Sequence, residues 1–229
     1  RHDQGDADYA DLVQISQNAN RAAALVNQLL AYSRKQTLRP EIMDMRDMLA
    51  DLTHLLNRLV GEKVMLALSH DPMLAKIRAD KRQLEQVLMN LVVNARDAMP
   101  DGGEIRIVTE NLDLLQPMRR GRAVVAAGRY VSVRVIDEGV GIPADKLQKV
   151  FEPFVTTKRP GEGTGLGLST AYGIMKQTGG FIFVDSVVGA GTTFQLLLPA
   201  HDAPVEPAKA PEISTKGKAH ADGVVLLVE

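Results

Sequence analysis

Three polar side chains whose chemistry suits a magnesium site are spaced along one predicted helix. Asn90, Asn94 and Asp97 are separated by four and then three residues, which places them on one face of a helix over residues 81–99. Carboxamide oxygens suit Mg²⁺, a hard cation that is usually bound together with phosphate oxygens. Asparagine pairs are also common on solvent-facing helices, so this spacing alone leaves both interpretations open.

A second motif, DEGVGIP, begins at Asp137 and directly follows a predicted strand. A carboxylate at the end of a strand can accept a hydrogen bond from an exocyclic amine. The two glycines after it leave bare backbone against which a flat base can lie. The same motif would also serve as a tight turn.

Glycines at positions 161, 163, 165 and 167 precede a predicted helix that runs through Lys176. Backbone N–H groups and the positive end of a helix dipole form a phosphate site at such a position. Lys158 could add a charge at the terminal phosphates. The spacing differs from the G-x-x-x-x-G-K-[ST] phosphate loop, and the glycines on both sides of Thr164 predict a mobile lid.

Alternating helices and strands must position these motifs, which predicts an α/β or α+β sandwich. Helices are expected at 45–59 and 81–99, and strands at 64–69, 104–110, 130–137, 181–186 and 192–198. The segment 112–128 is expected to be an irregular hairpin connection between two strands, with solvated charges at Arg119, Arg120 and Arg122.

The order of the motifs is more specific than any one of them. NLVVNARDAM, DEGVGIP, FEPFVTTK, GTGLGLST and GAGTTFQLLLP resemble the N, G1, F, G2 and G3 boxes of histidine kinases, a branch of the GHKL ATPases with gyrase, Hsp90 and MutL. The resemblance covers residues 40–199 and implies a catalytic domain with the α+β Bergerat fold. That fold is a two-layer α/β sandwich with a mixed sheet, and it holds ATP or ADP with Mg²⁺ beside its helices.

The resemblance also implies roles for individual residues. The expected catalytic residues are Asn94 as the Mg²⁺ ligand, Asn90 as its companion at the phosphates, and Lys158. Asp137 is expected to accept the adenine amino group, with support from Thr193. The other expected nucleotide-binding residues are Asp97, Gly139, Gly141, Ile142, Phe154, Gly163, Thr164, Gly165, Leu166, Gly167 and Leu168.

A long helix is predicted over residues 7–36 because apolar residues recur at intervals of three and four from Leu12 to Leu29. This stripe favours a bundle, although a helix lying on its own domain would show a similar one. Residues 1–39 resemble the second helix of a dimerisation hairpin whose first helix carries the phosphorylated histidine. His2 is interpreted as a loop residue. We therefore expect a homodimer in the full protein, and nucleotide binding without autophosphorylation by this chain.

Residues 200–222 are rich in Pro, Ala and Lys and are predicted to form a linker. Residues 223–229 resemble the first strand of a receiver domain, which predicts a hybrid kinase that works with a receiver domain and a phosphotransfer protein. The alternative is a strand that returns to the main sheet.

The segment from residue 161 to 182 and the N-terminal helix also resemble cell-cycle hybrid kinases of alphaproteobacteria. In that group the catalytic domain is associated with cyclic di-GMP. The resemblance predicts a second site at Tyr172, Lys176, Phe181 and Ile182. The alternative is that Tyr172 and Ile182 belong to the core and that Lys176 is solvated.

Composition disfavours several other classes of protein. The 27 Lys and Arg nearly balance 28 Asp and Glu, so no net field draws the chain to nucleic acid. Cysteine is absent, and no apolar run reaches the length of a membrane span, so any membrane anchor is expected in N-terminal segments beyond this cytoplasmic portion. Two alternative functions remain, a nucleotide-sensing interaction module and a clamp ATPase. Clamp ATPases carry a water-activating glutamate where this chain has Asn90.

Overall fold

A computed structural model describes residues 39–121, 123–156 and 164–201. The predicted N-terminal helix and C-terminal strand lie outside these residues, as does the predicted linker apart from Ala200, which forms a bridge with Ile77, and His201. In the described ranges no helix is long and apolar enough to cross a membrane.

The described chain alternates short strands with helices. The strands are β1 (Glu41–Met43), β2 (Val64–His70), β3 (Ile77–Ala79), β4 (Gly103–Leu114), β5 (Met118–Arg120), β6 (Ala123–Val125), β7 (Gly128–Asp137), β8 (Phe181–Val187) and β9 (Gly191–Pro199). The helices are α1 (Met45–Val60), α2 (Lys81–Asp97), α3 (Ala144–Leu147) and α4 (Gly167–Gln177).

Five of these strands form one mixed sheet in the order β2-β4-β7-β9-β8. The β2 and β4 strands are parallel, and the other three pairs are antiparallel. The β1 and β3 strands pair separately, as do β5 and β6. The predicted α+β architecture with a mixed sheet is confirmed.

One face of the sheet packs against α1, α2 and α4 and forms the main core. Alternate residues of each strand point to this face. From the strands it receives Val131, Val133, Val135, Phe194, Leu196 and Leu198, and from the helices Leu49, Leu56, Leu84, Leu88, Leu91 and Met175. The motif residues at the ends of β7 and α2 are therefore attached to a packed and rigid frame.

The opposite face of the sheet is partly covered by the β5–β6 hairpin, which forms a second small core around Val125. Arg120 anchors this hairpin. Its guanidinium donates to Gln195 Oε1 over 2.8 Å, pairs with Asp185 and lies 4.8 Å from the ring centroid of Phe183. The prediction that Arg120 is only a solvated charge was therefore wrong, whereas Arg119 is exposed as expected. The side chain of Arg122 lies outside the described residues.

Asp80 caps the start of α2, the helix that carries the asparagines. Its Oδ1 accepts from the Gln83 N–H over 3.3 Å and its Oδ2 from the Arg39 N–H over 3.0 Å. We expect Asp80→Ala to lower the free energy of unfolding by about 1 kcal/mol, because two backbone donors lose their acceptor. Urea denaturation would measure this change. Asp101→Ala, on an exposed turn, is the control, and an equal loss in both variants would contradict the capping role.

Candidate functional site

The centre of the site is Asp137, the last residue of β7, which is only 4% exposed. Its Oδ1 accepts from the N–H groups of Gly139 over 2.9 Å and Thr192 over 3.2 Å. Among the described residues no further hydrogen bond reaches the carboxylate, so Oδ2 is available to a ligand. Burial raises the pKa of Asp137, and the two N–H donors partly oppose that shift.

Two glycines let the loop after Asp137 pass close to its neighbours. A Cβ on Gly139 would lie 2.7 Å from the carbonyl oxygen of Ala98, at the end of α2. Gly141 has a φ of 73°, and a Cβ there would overlap the carbonyl oxygen of Val187. The loop is also tied on both sides, since the Val140 N–H donates to Ala98 O over 3.0 Å and its carbonyl accepts from Gly189 over 2.9 Å. The bare backbone beside Asp137 is therefore fixed in position.

The threonine that touches Asp137 is Thr192, and its backbone N–H makes the contact. The Thr192 side chain lies on the main-core face with Phe194, whereas Thr193 alternates to the other face of β9. The structure therefore places Thr192, and not the predicted Thr193, against Asp137. The apolar alternation of Phe194, Leu196 and Leu198 in the sequence was the signal that could have made this distinction.

The asparagine face of α2 lies between the Asp137 loop and the start of α4. Asn90 Nδ2 donates to the carbonyl of Gly167, the first residue of α4, over 3.1 Å. Two turns further on, Ala98 contacts the loop. Asn94 lies midway between these two contacts, is half-buried, and makes no side-chain hydrogen bond within the described chain. Its carboxamide is therefore available to a ligand at the middle of this groove.

Asp97 has a different environment from the asparagines. Its Oδ1 is 2.6 Å from Arg96 Nη2, and the same guanidinium donates to the Leu59 carbonyl over 2.7 Å. The hydrogen bond from Arg96 to Leu59 ties the end of α2 to α1, and the ion pair with Asp97 orients the guanidinium. The structure thus gives Asp97 a structural partner, which the sequence spacing did not indicate.

The backbone of Phe154 lies directly against the backbone of Gly165 in the glycine-rich segment. The Phe154 N–H donates to Gly165 O over 2.9 Å, and both residues have positive φ, 66° and 65°. A Cβ on Gly165 would lie 2.6 Å from Phe154 Cα, so this close backbone contact requires glycine. Lys158 and Gly163 fall outside the described residues, and their expected roles stay predictions.

The other predicted nucleotide-binding residues lie at or just before the start of α4, except Ile142, which lies in the loop after β7. No side chain caps this helix at Leu166, so its first N–H groups are left for a ligand or solvent. Leu168 packs against the main core and Thr164 is exposed. Ile142 also packs against the core, and its N–H donates to Ser186 Oγ over 2.8 Å. An uncapped helix start that faces the asparagines is a suitable place for an anion.

The four residues of the predicted second site do not share one surface. Ile182 is 6% exposed and belongs to the main core. Phe181 lies on the opposite face of the sheet, where its ring stacks on Phe183 with centroids 6.3 Å apart. Tyr172 and Lys176 are exposed one turn apart on α4, and Tyr172 also contacts the ring of Phe151. A concave site made from all four side chains is therefore not formed.

A mixed sheet backed by helices, an asparagine groove and a buried aspartate beside glycine turns define an ATPase of the GHKL class. The chain belongs to the histidine kinase-, DNA gyrase B- and HSP90-like ATPase family, whose model matches residues 79–202. This finding confirms the predicted family and makes the domain an ATP-binding one.

Among characterised proteins, the chain is 51% identical over 235 residues to the sensor kinase CckA of Brucella abortus (strain 2308). It is 32% identical over 188 residues to sporulation kinase E of Bacillus subtilis (strain 168). These matches cover 100% and 81% of this chain but only 25% and 23% of the two relatives. The chain thus spans about a quarter of the length of these sensor kinases and corresponds to their catalytic region.

Solved structures agree on the fold. The catalytic domain of the histidine kinase ThkA matches with a TM-score of 0.53 and 26% identity, covering 71% of this chain and 96% of that one. Full-length ShkA in complex with AMPPNP matches with a TM-score of 0.59 and 24% identity, covering 87% of this chain and 41% of that one.

Proposed function

We propose that this chain is the ATP-binding catalytic core of a hybrid sensor histidine kinase, where it positions Mg²⁺ and ATP for transfer of the γ-phosphoryl group to a histidine. The observation that carries the proposal is the arrangement at Asp137. A buried carboxylate with one oxygen fixed by two N–H groups and the other available matches the single exocyclic amine of adenine. The glycines beside it leave room for the flat base.

The remaining groups fit a nucleotide whose phosphates extend from Asp137 along α2. The unpartnered carboxamide of Asn94 would hold Mg²⁺, with Asn90 beside it at the phosphates. The N–H groups at the start of α4 would hold phosphate oxygens, together with the predicted contributions of Lys158 and Gly163. The cation, when bound, supplies charge neutralisation at the transferring phosphoryl group. The protein's own contribution is to fix the base and phosphates in line with an acceptor.

Asn90 also distinguishes transfer from hydrolysis. Its amide donates to the Gly167 carbonyl, and a carboxamide is not a base that can take a proton from water. This supports phosphotransfer over a clamp ATPase. We further propose that residues 1–39 supply the second helix of a homodimeric hairpin, that residues 223–229 open a receiver domain, and that a phosphotransfer protein acts downstream.

A nucleotide-sensing module remains the second candidate function, since occupancy alone needs no aligned γ-phosphate. Transfer of phosphate from ATP to a separately supplied histidine-bearing hairpin would exclude it. Regulation by cyclic di-GMP also stays a prediction. It rests on the exposed pair Tyr172 and Lys176, and unchanged cyclic di-GMP binding after Tyr172→Ala would contradict it.

Calorimetric titration with ADP, with and without Mg²⁺, tests the proposal through Asn94→Ala. We expect Mg²⁺ to strengthen ADP binding by the wild-type chain and to have almost no effect on the variant, with affinity for Mg·ADP about tenfold lower. Asn57→Ala, on the exposed side of α1, is the matched control and should behave as wild type. A wild-type chain that folds but does not bind ADP would contradict the proposed function.

A further inference from the structure

Ser186, near the end of β8, connects three parts of the site. Its Oγ accepts from the N–H of Ile142 over 2.8 Å, which holds the loop that contains Gly139 and Gly141. The same Oγ lies 2.9 Å from the carbonyl oxygen of Gly191 and 2.9 Å from Oγ1 of Thr192. Thr192 in turn donates its backbone N–H to Asp137. Ser186 is thus connected through Thr192 to Asp137, the carboxylate that would bind the amino group of the base.

The three contacts of Ser186 fix the directions of its hydrogen bonds. A serine hydroxyl has one proton to donate and two lone pairs that accept. A carbonyl oxygen only accepts, so the Ser186 hydroxyl must donate its hydrogen bond to the carbonyl oxygen of Gly191. The contact between the two hydroxyls is then made only if Thr192 donates to Ser186. All three contacts form together in this one arrangement.

The arrangement leaves Thr192 Oγ1 with lone pairs and no free proton. Asp137, the cross-strand neighbour of Thr192 on β7, likewise presents an acceptor, its Oδ2. Two acceptors at one edge of the site favour a base that presents an amino group. They disfavour a base with a carbonyl oxygen at the same position, because two acceptors would then face each other without a proton between them.

We propose that Ser186 is a positioning residue for base selection. It accepts the hydrogen bond of the Thr192 hydroxyl and so makes the site specific for adenine over 6-oxopurines. This inference rests on the proposed nucleotide site and adds to it the group that sets its selectivity. Without the Ser186 hydroxyl, Thr192 is free to rotate its proton toward a 6-oxo group, either directly or through a water molecule. Selectivity should fall even if the loop keeps its shape.

The test is the ratio of dissociation constants for IDP and ADP, measured by calorimetry on the full chain with Mg²⁺. We expect Ser186→Ala to lower the preference for ADP by about tenfold, mainly by improving IDP binding relative to ADP. Ser186→Thr keeps the hydroxyl and should keep the preference. Thr192→Val removes the second hydroxyl and should lower the preference for ADP by a similar factor, which provides an independent route if Ser186→Ala folds poorly. Ser69→Ala, the same change at an exposed residue of β2, is the matched control and should equal wild type.

The outcomes separate the two proposals. A purely structural role for Ser186 would weaken ADP and IDP by the same factor and leave their ratio unchanged, and that result would overturn the inference alone. An unchanged ratio in Thr192→Val would overturn it as well. A folded wild-type chain that binds neither nucleotide would overturn both the inference and the proposed function.

Discussion

Asp137→Asn is expected to lower the affinity of the chain for ADP by about 100-fold, equivalent to roughly 3 kcal/mol of binding free energy. The two N–H groups of Gly139 and Thr192 need an acceptor, so the carboxamide oxygen of the variant must take the place of Oδ1. The NH₂ group then takes the place of Oδ2. A donor would face the amino group of adenine where an acceptor is required.

The same substitution should not weaken the fold. Burial raises the pKa of Asp137, which means that the charged carboxylate is less favourable in the folded than in the unfolded chain. A neutral asparagine removes that cost and keeps both N–H bonds. We therefore expect the ligand-free variant to unfold at the same temperature as the wild type or a higher one.

Titration with ADP and a thermal melt of each ligand-free protein check the two halves of this prediction. Asp113→Asn, a matched change at an exposed residue of β4, is the control and should bind ADP like the wild type. Near-normal ADP affinity in Asp137→Asn would show that the carboxylate does not read the base. A variant that lost both binding and stability would mark Asp137 as structural.

The sequence predicted the frame of this site well because its signals are local. The 81–99 helix with its asparagine face is α2 over Lys81–Asp97, with a side-chain cap at Asp80. The predicted strand 130–137 is β7, which ends at the predicted residue Asp137. Gly141 and Gly165, which the motifs singled out, have positive φ and fill positions that no larger residue fits.

The differences arise where a long-range partner decides the outcome. Arg120 was predicted to be solvated as part of an irregular connection between strands, whereas its partners Asp185 and Gln195 lie 65 and 75 residues away. The β1 and β3 strands have three residues each and pair with one another, although α1 and β2 separate them in the sequence. Such short strands carry no readable alternation, so only the folded arrangement identifies them.

The assignment of side chains to the two faces of β8 and β9 was the other source of difference between sequence and structure. Phe181 and Ile182 are adjacent in sequence and were assigned to one site, but neighbouring strand residues point to opposite faces. The same rule separates Thr192 from Thr193. In both cases, applying the two-residue period to the flanking apolar residues would have assigned each side chain to its face of the sheet.

The second large effect is expected for Gly141→Ala, which should lower the free energy of unfolding by about 3 kcal/mol or more. Gly141 has a φ of 73°, where a side chain is strained, and its Cβ would overlap the carbonyl oxygen of Val187. That oxygen also accepts from the Ala190 N–H over 3.0 Å, so the turn between β8 and β9 cannot move away without losing a bond. Nucleotide binding should be lost as well, because the same loop places the Gly139 N–H on the Asp137 carboxylate and lies where the base would bind.

Gly173→Ala is the matched control for this prediction. Gly173 lies inside α4, has no positive φ, and nothing lies within 4 Å of the position its Cβ would take. Alanine there should raise the free energy of unfolding by about 0.5–1 kcal/mol, because glycine is a poor helix former. Urea denaturation without nucleotide measures both variants. Opposite signs are expected for the same chemical change, and similar stabilities would mean that the loop after β7 adjusts freely and does not hold the base in a fixed place.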